Sequence, residues 1–231
     1  NIKKCIIFSP HPDDDVISMG GTLDRLISQG HEVNVVYQTS GNIAVNNQDV
    51  LKFIEVSESI FGQTSSELEK LKTDLENKNV YSKELLSIKG KIRESEARAA
   101  LRYLGLKDKN IHFLNLPFYE TGKAIKNPIS IADINPTVDL INKIKPHQIF
   151  AAGDLADPHG THRKCLDIVF KSLETIKTKP YASDCWVWLY RGAWLDWDLH
   201  EIQMAIPLSP SEVLRKRKSI FYHQTQKDGV L

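Results

Sequence analysis

The chain has 231 residues, with 30 lysines and arginines against 29 aspartates and glutamates, so its formal charge is +1. This balance gives no electrostatic reason to expect nucleic acid or an anionic membrane as a partner. No run of residues approaches the roughly 18 apolar residues of a transmembrane segment. Three cysteines without a CxxC pair are typical of a reducing compartment, which predicts a cytoplasmic protein.

The length fits a single domain over residues 1–231. The first residues lead directly into a strand pattern, so we expect no signal peptide. The chain does not begin with Met, which predicts that it is part of a longer protein.

The first forty residues predict a strand, a helix and a second strand. A short apolar run over 4–9 predicts a buried strand, and apolar residues at helical spacing predict a helix over 15–28. Gly30 follows as a helix stop, and 32–38 predict the next strand. A strand-helix-strand unit implies parallel strands joined by a right-handed crossover.

The alternation continues along the chain. Residues 44–104 are polar and helical, with Gly62 and Gly90 as candidate breaks and a solvated excursion over 65–91. The later predicted elements are strands over 110–116, 148–152, 183–190 and 201–206, and helices over 132–144, 161–173 and 209–226, the last capped by Ser209. This order predicts an α/β, Rossmann-like doubly wound fold, with a mostly parallel sheet and helices on both faces.

Two loops that follow predicted strands carry unusual numbers of histidines and acids. The first contains His11, Asp13 and Asp14, and the second contains His159 and His162. Both loops leave carboxyl ends of parallel strands, where ligand sites of open α/β sheets lie. Imidazoles and carboxylates are ligands of catalytic zinc, and a divalent cation would relieve the repulsion among Asp13, Asp14 and Asp15.

Each loop also has a purely structural interpretation. The three aspartates could cap the following helix and interact with its dipole, although that leaves His11 beside them unexplained. His159 and His162 could be two exposed loop side chains, and their spacing alone does not decide between the alternatives.

The segment 6–42, IIFSPHPDDDVISMGGTLDRLISQGHEVNVVYQTSGN, resembles the opening of the PIG-L/LmbE-like family of N-acetylglucosaminylphosphatidylinositol deacetylases. Asp15 stands where that family usually has Glu. The other matching features are Gly20-Gly21, Arg93-x-x-Glu96, the pair His159 and His162, and the closing segment 214–226. Residues 190–194 resemble a subgroup in which this domain is fused behind a glucosamine-6-phosphate deaminase-like domain.

The resemblance implies a zinc-dependent N-deacetylase. It implies that His11, Asp14 and His162 hold zinc, that Asp13 is the general base, and that His159 stabilises the oxyanion. Its substrate would be a small N-acetyl amino sugar of the N-acetylglucosamine type, or a conjugate of one. Ferrous iron also suits a His, Asp and His set, but hydrolysis needs no redox chemistry, which favours zinc.

Substrate recognition is less defined. Arg93, Glu120 and Asn42 are candidates for binding sugar hydroxyls or a phosphate, although an exposed helix arginine and a plain loop acid are equally compatible with the pattern. The four tryptophans Trp186, Trp188, Trp194 and Trp197 are typical of a core or of an interface, and an exposed cluster would be compatible with a homo-oligomer.

Two other functions stay open at this point. One is a metal-dependent hydrolase of another amide or of a phosphoester, which would use two metal ions. The other is a sugar-binding module without activity, which predicts the loss of a ligand or of the base, and none of these residues is missing.

Overall fold

A computed structural model describes residues 1–62, 66–76, 82–121 and 125–227. Within these ranges the strands are β1 (Lys4–Ser9), β2 (Glu32–Tyr37), β3 (Ile111–Phe113), β4 (Gln148–Ala152) and β5 (Trp186–Tyr190). They form one sheet in the order β3-β2-β1-β4-β5, and every pair of neighbours is parallel. The helices are α1 (Asp14–Ser28), α2 (Asn47–Phe61), α3 (Ser66–Glu76), α4 (Lys83–Tyr103), α5 (Ile131–Ile144), α6 (Thr161–Ile176) and α7 (Pro210–Ile220).

The two faces of the sheet bury alternate side chains of each strand. On one face Cys5 and Ile7 of β1 pack in a cluster with residues of α1 and α4. On the other face Ile6 and Phe8 pack with residues of α5 and α6. Strands buried on both faces are continuously apolar, as the sequence of β1 is. The predicted doubly wound α/β fold is therefore confirmed.

The region before β3 differs in part from its prediction. Gly62 ends α2 in a left-handed conformation (φ 67°), whereas Gly90 lies within α4 and breaks nothing. The solvated excursion predicted over 65–91 is partly wrong, because Leu71 and Leu85 are buried in an apolar cluster between these helices. Residues 65 and 77–81 of the predicted excursion lie outside the described residues.

Two predicted elements near the C-terminus are wrong in extent or type. Residues 201–206 form no strand, because the alternating Ile202 and Met204 are exposed rather than paired with the sheet. The last helix ends at Ile220, not at 226, because the chain turns back toward α4. There the Thr225 amide and hydroxyl donate to Glu96 at 2.8 and 2.7 Å. The predicted Ser209 cap is confirmed, since its side chain accepts from the Glu212 amide.

The strand order reverses between β1 and β4. β1 continues to α1 on one face of the sheet, and β4 continues to α6 on the other, so the two connecting loops lie side by side at the carboxyl edge. Such a switch point leaves a crevice that binds ligands in open α/β folds. Among the described helices, none combines the length and apolar character that crossing a membrane requires.

Candidate active site

The first loop joins β1 to α1 and places three aspartates in succession. Asp13 occupies the position before α1 with φ 146°, a conformation that is strained for a residue with a side chain. Its carboxylate makes no capping hydrogen bond to the helix. Asp14 accepts a hydrogen bond from the His11 amide at 2.9 Å, and the His11 Nδ1 atom lies 3.2 Å from the same oxygen. Helix capping therefore does not explain Asp13.

The second loop is organised by Asp157, a residue that the sequence analysis missed. Its buried carboxylate accepts from the amides of His159 and His162 at 2.9 and 3.0 Å, and His159 Nδ1 lies 3.2 Å from it. An aspartate that precedes a turn and the start of a helix commonly accepts hydrogen bonds from the backbone amides of that turn. That signal is visible in Asp157-Pro158-His159-Gly160, and it could have identified the residue.

His162 is oriented by the backbone of the same loop. Its Nδ1 atom lies 3.0 Å from the carbonyl oxygen of Asp154, and a carbonyl can only accept, so Nδ1 carries the proton. In its neutral form the ring therefore carries its lone pair on Nε2, which lies 3.3 Å from Asp14 Oδ2. This nitrogen is buried without a well-aligned hydrogen-bond partner in the described part of the chain. A ring fixed in this way is the usual arrangement of a metal-binding histidine.

His11, Asp14 and His162 bring one ligand atom each within 4.8 Å of one another. Two imidazoles and a carboxylate suit zinc, and three protein ligands leave room for water and substrate. Burial opposes the ionisation of Asp14, but the His11 and His162 imidazoles beside its carboxylate outweigh this effect and hold its pKa below the usual range. The residue set therefore fits a divalent cation.

Asp13 faces the same space but is held by a different partner. Its carboxylate lies 3.1 Å from the Arg93 guanidinium, which also donates to the carbonyl oxygen of Pro12. Burial raises the pKa of Asp13 to about 6, although the Arg93 charge opposes the shift. Arg93 itself is 1% exposed, so the interpretation of it as an exposed helix arginine is wrong. Arg93 positions Asp13.

Asp15 points away from this group. It is buried, accepts a hydrogen bond from the Tyr37 hydroxyl at 2.9 Å, and its amide donates to the Ser9 hydroxyl at 3.1 Å. Burial raises the pKa of Asp15 to about 7. The residue ties the loop to the sheet beneath and lies outside the ligand group.

A cavity of about 420 Å³ opens over the group, a size that suits a small ligand. The Tyr119 ring meets the His11 ring edge-on at 5.8 Å, and His159 stands largely exposed in the wall. Trp194 is also 49% exposed there, so a core position is wrong for this tryptophan. The cavity's polar and aromatic lining includes His11, Asp13, Asp14, Arg93, Tyr119, Lys126, His159, Trp194 and Gln226.

Asn42 and Glu120 lie in a neighbouring cavity of about 460 Å³. The Glu120 carboxylate accepts from the Asn42 side chain at 3.1 Å and from the Ser40 amide at 3.2 Å. Pro12 lines this second cavity, and the ligand group does not. The structure therefore does not bring these two predicted substrate-binding residues into the cavity of the ligand group.

Comparisons with known proteins agree with this architecture. Residues 6–173 match the family model PIG-L, described as GlcNAc-PI de-N-acetylase. A glucosamine-6-phosphate deaminase-like protein of Bacteroides thetaiotaomicron is 48% identical over 98% of this chain and 36% of its own length. The chain thus spans about a third of that relative.

Solved structures show the same fold. The N,N'-diacetylchitobiose deacetylase of Pyrococcus horikoshii aligns with a TM-score of 0.66 at 22% identity, covering 99% of this chain and 72% of that one. A zinc-inhibited form of a teicoplanin deacetylase aligns with a TM-score of 0.53 at 14% identity, covering 96% and 84%.

Proposed function

This chain belongs to the PIG-L family, and we propose that it is a metal-dependent hydrolase that removes the acetyl group from an N-acetyl amino sugar. The observation that carries the proposal is the convergence of His11, Asp14 and His162 beside a cavity that His11, Asp14 and Asp13 line. The family's description and the name of the P. horikoshii structure, both deacetylases of N-acetylglucosamine compounds, support the substrate class.

The residues divide the chemistry between them. A zinc ion held by the three ligands would polarise the acetamide carbonyl and lower the pKa of a bound water to about 7. Asp13 borders the same cavity and is positioned to take the proton of the attacking water and return it to the leaving nitrogen. Arg93 fixes the Asp13 carboxylate for both transfers. The products are acetate and a free amino sugar.

His159 stabilises the carbonyl oxygen of the acetamide during the reaction. When doubly protonated it donates to Asp157 through Nδ1 and can donate through Nε2 to the oxygen as negative charge develops there. Its exposed position in the cavity wall allows it to meet the substrate without displacing the ligand group.

The direct test is acetate release from a panel of N-acetylated sugars. The protein is stripped with a chelator and then reloaded with Zn²⁺ or Fe²⁺ in separate arms, with bound metal counted in each. We expect turnover only after reloading, and one metal ion per chain. Two bound ions would favour the phosphoester alternative, but the described residues contain a single group of three ligands.

Replacing Asp13 tests the assignment of the base. We expect Asp13→Asn to lower kcat by about 10²- to 10⁴-fold, the usual contribution of a general base, while metal content stays unchanged. Asp49→Asn is the matched control, since Asp49 also lies close to the start of a helix but away from this cavity. Deacetylation by Asp13→Asn at the wild-type rate would refute the assignment.

A further inference from the structure

A lysine stands in the wall of the cavity without a role in the proposed reaction. The Lys126 ammonium lies 3.6 Å from the centre of the Tyr119 ring, and the same ring also contacts the His11 ring in an edge-on arrangement. Lys126 also lines the cavity together with Asp13 and His159. One aromatic side chain thus separates a cation from the predicted metal ligands.

The arginine and the lysine that line this cavity differ in how deeply they are buried. Arg93 is fully buried, and its guanidinium contacts Asp13 and the carbonyl oxygen of Pro12. A guanidinium so placed orients the base and has little contact with incoming ligand. Lys126 is partly buried, and this burial lowers its pKa, whereas the charges of Glu120 and Asp157 act in the opposite direction. A partly desolvated ammonium gains more from an anion than one in open water.

We propose that Lys126 binds a phosphate group carried by the amino-sugar substrate. The inference rests on the proposed function, because the acetamide must reach His11 and Asp14 while the phosphate reaches Lys126. A cavity of about 420 Å³ can accept a monosaccharide phosphate. Lysine is a common phosphate ligand that acts as a point charge, so it fixes the position of the anion without demanding one orientation.

Steady-state kinetics test the proposal. The substrates are N-acetylglucosamine, its 6-phosphate and its 1-phosphate, which separate a phosphate at either end of the sugar from none. We expect the wild type to prefer one phosphorylated substrate, and Lys126→Met to raise its KM at least tenfold with kcat nearly unchanged. The KM for the neutral sugar should not change, and Lys126→Arg should restore much of the preference.

Lys164 offers a matched control. The Lys164 ammonium donates a hydrogen bond at 2.6 Å to the carbonyl of Asn127, the residue that follows Lys126. Lys164 itself does not line the cavity. Lys164→Met should therefore leave all KM values unchanged. Unfolding temperatures of the variants show whether any effect comes from lost structure.

Binding of inorganic phosphate provides a readout that does not depend on turnover. Titration calorimetry on the metal-loaded protein should show binding that weakens about tenfold in Lys126→Met and not in Lys164→Met. If no sugar is hydrolysed but this loss is seen, the phosphate site stands and the deacetylase function fails. If the wild type hydrolyses neutral and phosphorylated sugars alike, and Lys126→Met changes neither activity nor phosphate binding, the phosphate site is refuted alone.

Discussion

At the scale of single residues, Asp157 shows how a side chain can serve a site without touching substrate. Its two carboxylate oxygens accept from the amides of His159 and His162, so both histidines are held relative to one carboxylate. Burial opposes its ionisation, but these amide bonds outweigh it and lower the pKa of Asp157. The Asp157 carboxylate therefore stays ionised although it is buried, because amides of its own loop donate hydrogen bonds to it.

Asp157→Asn should weaken metal binding only because it disturbs the positions of His159 and His162. One oxygen of the amide can still accept, but its NH2 group would face an amide donor, so at least one bond is lost. We expect metal affinity to fall about 10- to 100-fold, as for other supports of metal ligands. The free energy of unfolding should fall by about 1–3 kcal/mol. Competition with a zinc-binding dye and urea denaturation measure the two quantities.

The exposed Asp167 on α6 is the control for this substitution, since its partner is the surface Lys171. Asp167→Asn should change neither quantity beyond a few tenths of a kcal/mol. Unchanged zinc affinity in Asp157→Asn would mean that the backbone alone positions His162.

The residues of the site differ in how far the sequence could predict them. His11 lies in the loop after β1, and Asp14 and His162 lie in the first turns of the helices that follow β1 and β4. Because these two strands are neighbours, sheet topology brings the three residues together. The pairing of Arg93 with Asp13 depends on how α4 packs over the first loop, which no local pattern encodes. The direction of Glu120 depends on the path of its loop, and it points to the neighbouring cavity.

At the scale of elements, α1 is the helix that carries the ligand Asp14, and its two glycines set its packing. A Cβ on Gly20 would lie 2.9 Å from the Lys216 side chain, and one on Gly21 would lie 2.8 and 3.1 Å from atoms of Leu208. Arg25 of α1 and Glu212 of α7 also form a bidentate ion pair. The Gly20-Gly21 pair thus allows close contact with the segment that enters α7.

Gly21→Ala should destabilise the protein even though alanine favours helix. The propensity gain is about 1 kcal/mol, whereas overpacking usually costs about 1–3 kcal/mol. We expect the free energy of unfolding in urea to fall by about 1 kcal/mol. Gly90→Ala in α4 is the matched control, because its new Cβ would lie 3.5 Å from Ser40, an ordinary contact, and it should raise stability. An equal gain from both would refute the packing argument.

Element prediction succeeded for an apolar run that the sheet buries and failed for an alternating segment that the sheet does not cover. The apolar run of β1 is buried on both faces, and the structure begins and ends it as predicted. The segment 201–206 has the alternation of a strand, but Ile202 and Met204 are exposed and no sheet edge pairs with the segment. Local alternation therefore predicts a strand only when a neighbouring strand is available.

At the scale of the whole molecule, the C-terminal segment returns to the site formed near the N-terminus. Thr225 is anchored to Glu96 of α4, and Gln226 lines the cavity. His223 between α7 and these residues is 2% exposed, and both its ring nitrogens lack hydrogen-bond partners among the residues described. The prediction of one continuous closing helix missed this return, because the Glu96 partner is remote in sequence.

The burial of His223 predicts a loss of stability in acid. Burial lowers its pKa to about 3, and the Arg93 charge adds to the shift while Asp14 opposes it. An unfolded histidine titrates near 6.5, so below that pH the unfolded state binds a proton that the folded state does not. From pH 8 to pH 5 this residue should remove about 2 kcal/mol of the free energy of unfolding.

Comparison with His223→Leu isolates this contribution. Burial raises the pKa values of Asp13 and Asp15, so these carboxyls stabilise the folded state as pH falls and partly mask His223 in the wild type. Both groups remain in the variant, and therefore the difference between the two pH curves belongs to His223. Urea unfolding in chelator, which excludes metal binding, should show wild type losing about 2 kcal/mol relative to His223→Leu between pH 8 and pH 5. His200 is exposed, so the pH dependence of the free energy of unfolding in His200→Gln should match that of the wild type. If instead the curves of the wild type and His223→Leu are parallel, His223 accepts a proton in the folded protein.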